Sequence, residues 1–174
     1  MKNQSKIFKF KLFSIIFVFI LGTLLHFTFK WSNQNTIVGT FSSVNESTWE
    51  HLKLLFFPML ITSIIGYFYL KPIASSFICA RFYAIISSLS FTIVFFYTYT
   101  GILGTNIAIL NIATFYISTL IGECISYKIM LSNSKCNSKI FFSILCILFL
   151  SFIIFTFFPP KIGLFEDPLN SKLF

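Results

Sequence analysis

Along the chain, long apolar runs alternate with short polar breaks. Five of the runs are long enough to cross a bilayer, which takes about 20 helical residues. The first is LFSIIFVFILGTLLHFTF, residues 12–29, and the last is IFFSILCILFLSFIIFTFF, residues 140–158. Between them lie runs at about 52–70, 82–99 and 106–130. The pattern predicts an all-α polytopic transmembrane helical bundle of about five spans, forming a single integral membrane domain over residues 1–174. Pro58 falls inside the second run, where it removes a backbone N–H and predicts a kink. Lys2, Lys6, Lys9 and Lys11 precede the first run as in a signal peptide. That run is too long for a usual signal-peptide core and no A-x-A-like site follows, so it reads as an uncleaved span.

Composition supports lipid as the solvent. The 174 residues are 56% hydrophobic and only 10% charged, against the roughly one quarter that a soluble domain carries. The 26 Phe accompany abundant Ile, Asn and Lys, a biased composition that gives the aromatic count no binding meaning by itself. A net charge of +8 raises the question of nucleic acid, but the lysines are scattered between apolar runs and make no basic patch with stacking residues. They sort instead by side. One face holds Lys2, Lys6, Lys9, Lys11, Lys71, Arg81, Lys128, Lys135 and Lys139, and the other holds Lys30, Lys53, Lys161 and Lys172. By the positive-inside rule the chain runs N-in/C-out in the cell membrane, with anionic lipids as partners of its cytoplasmic face. Glu46, Glu50, Glu166 and Asp167 then lie outside. Cys79, Cys124, Cys136 and Cys146 map to the inner half, fit no zinc spacing and predict no disulfide. No internal repeat is present.

Few residues carry chemistry. Glu123 is an ionisable group inside the fourth span, which makes it a functional candidate by position. Asn111, Ser118 and Gly122 share one face of that span, with Thr119 and Glu123 on its flank, so the stripe should face other helices. Arg81 lies at a similar depth at the inner end of the third span, and an Arg81–Glu123 ion pair would satisfy both. A second group gathers at the outer face: His26 ends the first span, while Glu46, Glu50 and His51 surround the start of the second. Two imidazoles and two carboxylates in one corner could bind a divalent metal. Glu50 or His51 could also move a proton. Asn111 and Trp31 join His26, Glu46 and Glu123 as binding candidates. The competing explanation is local. Ser47-Thr48-Trp49-Glu50 matches a capping box, in which Ser47 accepts from the N–H of Glu50 and the Glu50 side chain reaches back to that of Ser47. Trp49 and Trp31 would then be interfacial anchors. The box leaves Glu46, His51 and His26 without a role. Pro159-Pro160 stops the fifth span, and the tail beyond should fold back over the outer helix ends.

The run HFTFKWSNQNTIVGTFSSVNESTWEHLKLLFFP, from His26, resembles the signature of a family of small multipass membrane proteins of Gram-positive bacteria. That family is a domain of unknown function. Its pattern of His, then Trp-Ser, then V-G-x-F-S-x-V-N-E-S-x-W-E-H, falls here on His26, Trp31-Ser32 and Val38 to His51. Pro159-Pro160 with Asp167 also resembles the family, and the likeness spans essentially the whole chain. Asn33 stands where Gly would be expected after Trp-Ser. The resemblance implies a shared outer-face arrangement and no activity. Three functions fit: a binding or transport component for a small polar solute or ion, a membrane-embedded metal-dependent enzyme using the outer Glu/His cluster, or an accessory protein that docks a membrane partner or a second copy. A non-enzymatic role fits better, since no residue spacing identifies a reaction. No cofactor beyond that metal is indicated.

Overall fold

A computed structural model describes residues 2–132 and 136–167, so Lys135 and Lys172 of the charge count lie outside the described residues. Helix α1 spans Lys2–Trp31, a short α2 spans Thr36–Gly39, and α3 spans Thr48–Leu70. Helices α4 (Phe77–Leu103), α5 (Ala108–Leu131) and α6 (Ser138–Phe157) follow, and a 3-10 turn at Gly163–Phe165 closes the described chain. The five long helices are long and apolar enough to cross a membrane. The expected apolar runs fall on them to within two residues at any end that overshoots.

Local chemistry explains the helix ends. Ser47 Oγ accepts from the Glu50 N–H at 3.3 Å and starts α3. Gly104, at φ +68, ends α4 with its N–H on the Thr100 carbonyl. Pro159-Pro160 follow one residue after α6 ends at Phe157. Beyond α1, Asn33 and Gln34 both adopt left-handed backbone, at φ +55 and +59. This accounts for the glycine expected at position 33, and Asn tolerates that conformation better than most side chains.

Helix α3 is the central element. Six-tenths of its most apolar stretch is buried (61%), against about a tenth of α6 (11%). Helices α4 and α5 form the most extensive pair, α1 packs on α3, and α6 packs on α4. Leu52, Leu55, Phe56 and Met59 of α3 meet Ile85 of α4 and Phe152 of α6 in the core. Outside, Phe68, Ile102, Ile109 and Ile147 are largely exposed, consistent with helices apolar enough to cross a membrane. Two glycines set the closest approaches. A Cβ on Gly122 would strike Ser88 Oγ and stand 2.5 Å from the Ala84 carbonyl oxygen, so α5 lies almost against the α4 backbone. A Cβ on Gly22 would stand 2.5 Å from the Leu54 carbonyl oxygen. Pro58 cannot donate to that carbonyl four residues back, and α3 continues through it because α1 packs over the freed group.

Two expectations need correction. Cys79 and Cys136 form a disulfide, with their Cα atoms 6.4 Å apart, while Cys124 and Cys146 remain free thiols. The two are 57 residues apart in sequence, and the α4–α6 packing brings them together. Their end of the bundle is the one the charge count assigns to the reducing cytoplasm, so bond and orientation pull against each other. Trp49 is buried and is no interfacial anchor: its ring packs on Phe152 and Phe165, with centroids 4.5 and 4.8 Å away. Phe165 arrives because the tail does fold back over the helix ends.

Candidate functional site

The first polar centre lies within the bundle, around Glu123 of α5. Arg81 Nη1 reaches both carboxylate oxygens, at 2.6 and 2.8 Å, so the expected pair is present. Lys11 Nζ adds a bond at 2.9 Å and Ser14 Oγ one at 2.7 Å. The remaining Arg81 donors are also placed: Nε on Ser63 Oγ at 2.8 Å, Nη2 on Thr62 Oγ1 and the Met59 carbonyl, each at 3.0 Å. Lys11 was counted among the lysines of the inner surface, yet it is buried in this network. Its position three residues before Ser14 on α1 is the only local hint. Low dielectric makes such a network costly to leave incomplete. This one is complete, and Glu123 lines neither the cavity described below nor the apolar recess between α3, α4 and α6.

The second centre is built by the loop from Ser32 to Ser47. Asn35 Oδ1 caps α2 through the N–H groups of Ile37 and Val38. Ser42 Oγ lies 2.7 Å from Thr28 Oγ1 and donates to the Leu25 carbonyl at 3.0 Å, which ties the loop down onto α1. The capping box is only half present. Asn45 Oδ1, not Glu50, accepts from the Ser47 N–H, at 2.9 Å. The Glu50 carboxylate turns away to the Val44 N–H at 2.9 Å and to Lys53 Nζ at 2.5 Å. Lys53 is wholly buried, and it also donates to the Gly39 carbonyl at 2.8 Å and Thr156 Oγ1 at 2.9 Å. This pair pins the loop to α3 and α6, and it engages the Glu50 carboxylate with Lys53 and the Val44 N–H.

Glu46, His51 and His26 remain, and the fold brings them together. Each offers one ligand atom, and these atoms lie within 4.8 Å of one another. The two imidazole centroids are 5.4 Å apart, and His51 Nε2 stands 3.4 Å from Glu46 Oε2. His51 Nδ1 lies 2.9 Å from the Ser47 carbonyl oxygen. A carbonyl can only accept, so Nδ1 must carry the proton. In the neutral ring, Nε2 therefore presents a lone pair toward the Glu46 carboxylate. Two electron-rich groups at that distance call for a cation between them, either a proton on Nε2 or a metal ion. With the proton in place, the hydrogen bond from His51 holds the Glu46 carboxyl below its ordinary range. Partial burial works against this, and the charges of His51, His26 and Lys30 add to it.

All three residues line a half-open cavity of about 580 Å³. It lies between α1, α3, α4 and α5, with Gly22, Leu54, Leu55, Phe96 and Phe115 as its apolar wall. Asn106 and Asn111 contribute amides at the α4–α5 turn, where Asn111 donates to Asn106 at 2.7 Å and Tyr99 hydrogen-bonds to Asn111. Thr92 and Thr114 line the interior. Of the predicted binding residues, His26, Glu46 and Asn111 thus share this cavity. Glu123 belongs to the other centre, and Trp31 is 67% exposed, stacked on Phe27 outside it. Thr92, Thr114 and Asn106 belong to no motif, and no sequence signal marks them as lining residues.

Among curated proteins and solved structures, no match to the chain is found. One family model does match, over residues 1–173. The chain belongs to that family, a family of unknown function (DUF6512).

Proposed function

We propose that this is a multipass membrane protein that binds a divalent transition-metal ion at one end of its bundle, through His26, Glu46 and His51. The observation that carries this reading is the His51 tautomer. Its Nδ1–H is held by the Ser47 carbonyl at 2.9 Å, which aims the Nε2 lone pair at Glu46. A backbone carbonyl on the far nitrogen is the usual way a ligating imidazole is oriented. Two imidazoles and a carboxylate suit zinc and similar ions and leave one coordination position free. Metal–ligand bonds of 2.0–2.2 Å put neighbouring ligand atoms about 3.3 Å apart. The His51–Glu46 spacing already fits, and closing the widest one takes a shift of about 1.5 Å.

The charge count supports placing this end outside the cell. Removing the buried Lys11 and Arg81 from one side and Lys53 from the other leaves seven positive residues against three. The motif from Val38 to His51 builds the loop, the cap and two of the three ligands, in keeping with an arrangement shared across the family. A binding or transport role for the ion is the first reading. The cavity beside the free position favours a second, a metal-dependent hydrolase, although Glu50 is not available as its base.

The test is cobalt or zinc binding by purified, folded protein. About one ion per chain is expected, lost on His26→Ala or His51→Ala with the helical circular dichroism unchanged. Folded protein that takes up no Co²⁺ at millimolar concentration would sink the reading and leave a His51–Glu46 ion pair.

A further inference from the structure

The cavity beside the metal ligands is divided by polarity. At its loop end stand His26, Glu46, His51, Asn106 and Asn111, and below them the wall is mainly apolar, with the hydroxyls of Thr92 and Thr114 among hydrocarbon. The ring of Phe19 closes α1 onto α5 beneath it, with centroids 4.5 Å from Tyr116 and 6.4 Å from Phe115. Above that closure, the lining residues Thr23 and Phe27 of α1 and Ala108 and Ile112 of α5 are all exposed. Phe27 is 44% and Ile112 57% accessible, and both belong to helix faces rich in exposed apolar side chains. The opening between α1 and α5 therefore gives sideways onto lipid and not only onto water.

Charge narrows the occupant further. A divalent ion held by one carboxylate and two neutral imidazoles keeps a net positive charge. Lys30, one turn beyond His26, adds a positive field that reaches Glu46. Glu50 cannot offset this, because it is already neutralised by Lys53. A polar, cationic head end above an apolar chamber suits an amphiphile whose head is an oxyanion.

We infer that the cavity takes a single-chain anionic amphiphile from the adjoining leaflet, its phosphate or carboxylate oxygen at the free metal position and its alkyl chain between α1 and α5. The inference rests on the metal reading above. An alkyl chain contributes through burial of its methylenes, whereas a free oxyanion has only the head contacts.

The test uses Co²⁺-loaded protein in maltoside detergent and follows the visible cobalt spectrum during titration with dodecyl phosphate or inorganic phosphate. Dodecyl phosphate should perturb the spectrum at a concentration at least about tenfold lower than inorganic phosphate. Thr23→Trp or Ala108→Phe, which plug the side opening without touching a ligand, should abolish that advantage while Co²⁺ affinity stays the same. Equal potency of the two phosphates in the unaltered protein would overturn the inference, leaving a site for free anions. An advantage that survives both plugs would also overturn it, since the chain would then lie elsewhere. Failure to bind Co²⁺ at all would strike the metal reading first and this inference with it, so the two failures are told apart at the loading step.

Discussion

Two centres in this bundle combine a carboxylate with nitrogen bases, and they treat it in opposite ways. Around Glu123, two cations, hydroxyls and a carbonyl fill every valence of the carboxylate and guanidinium. Around Glu46, two ring nitrogens and a carboxylate face one another across a gap beside a cavity. A saturated network ties helices α1, α3, α4 and α5 together, while the other leaves ligand atoms facing a gap, as the proposed metal site requires. Position within an apolar helix made Glu123 the first candidate, and the fold completes its bonds, whereas it leaves the groups around Glu46 facing a gap.

The comparison breaks most visibly at Glu123. Replacing it with Ala leaves Arg81 and Lys11 buried without their anion, and thermal unfolding should show a loss of about 3–5 kcal/mol or failure to fold. A folded, stable Glu123→Ala protein would mean that the network is not structural. The Glu50–Lys53 pair behaves the same way: Glu50→Gln should cost about 3 kcal/mol. It should also raise proteolysis of the 32–47 loop, and adding Lys53→Met should recover much of the loss. Next is Gly22→Leu, which meets backbone and the Phe115 ring and should destabilise by about 1–3 kcal/mol through overpacking. His51→Ala should hardly move the melting temperature, because the His51–Glu46 contact is part-exposed. It should weaken Co²⁺ binding by more than the tenfold to hundredfold typical of losing an outer partner. Equal damage to stability and to metal binding would erase the contrast between the two centres.

The smallest effect is in pH. The folded-state pKa of Glu46 lies below its ordinary 4.5. Its contribution to stability is therefore complete above that value and lost as pH falls through the lowered one. Unfolding of the unaltered protein and of Glu46→Gln should converge in that acid range and differ slightly above it.

Much of this was legible in the sequence. Runs of 18 or more apolar residues predict helices long and apolar enough to cross a membrane, and five such helices form. Ser47 announced the start of α3, and Arg81 with Glu123 announced a pair, since each was an isolated charge at matching depth. What the sequence hid were partners chosen across long separations. Lys11 finds Glu123 over 112 residues and Lys53 finds Thr156 over 103, so both looked like ordinary flanking lysines. The Glu50 half of the capping box failed for a local reason: Asn45 takes the Ser47 N–H, and Lys53, one turn along α3, holds the Glu50 carboxylate. Cys136 met Cys79 through helix packing that no local pattern encodes.

The close approach of Gly22 to the Leu54 carbonyl has a consequence for how the chamber could change over evolution. Where they meet, its wall is main chain from two helices in near contact, and no substitution can carve main chain deeper. The facing wall is made of the side chains of Ile112, Phe115 and Tyr116. One wall is thus fixed and the other adjustable. Relatives whose chambers differ in size should differ on α5, while the α1–α3 contact stays as it is.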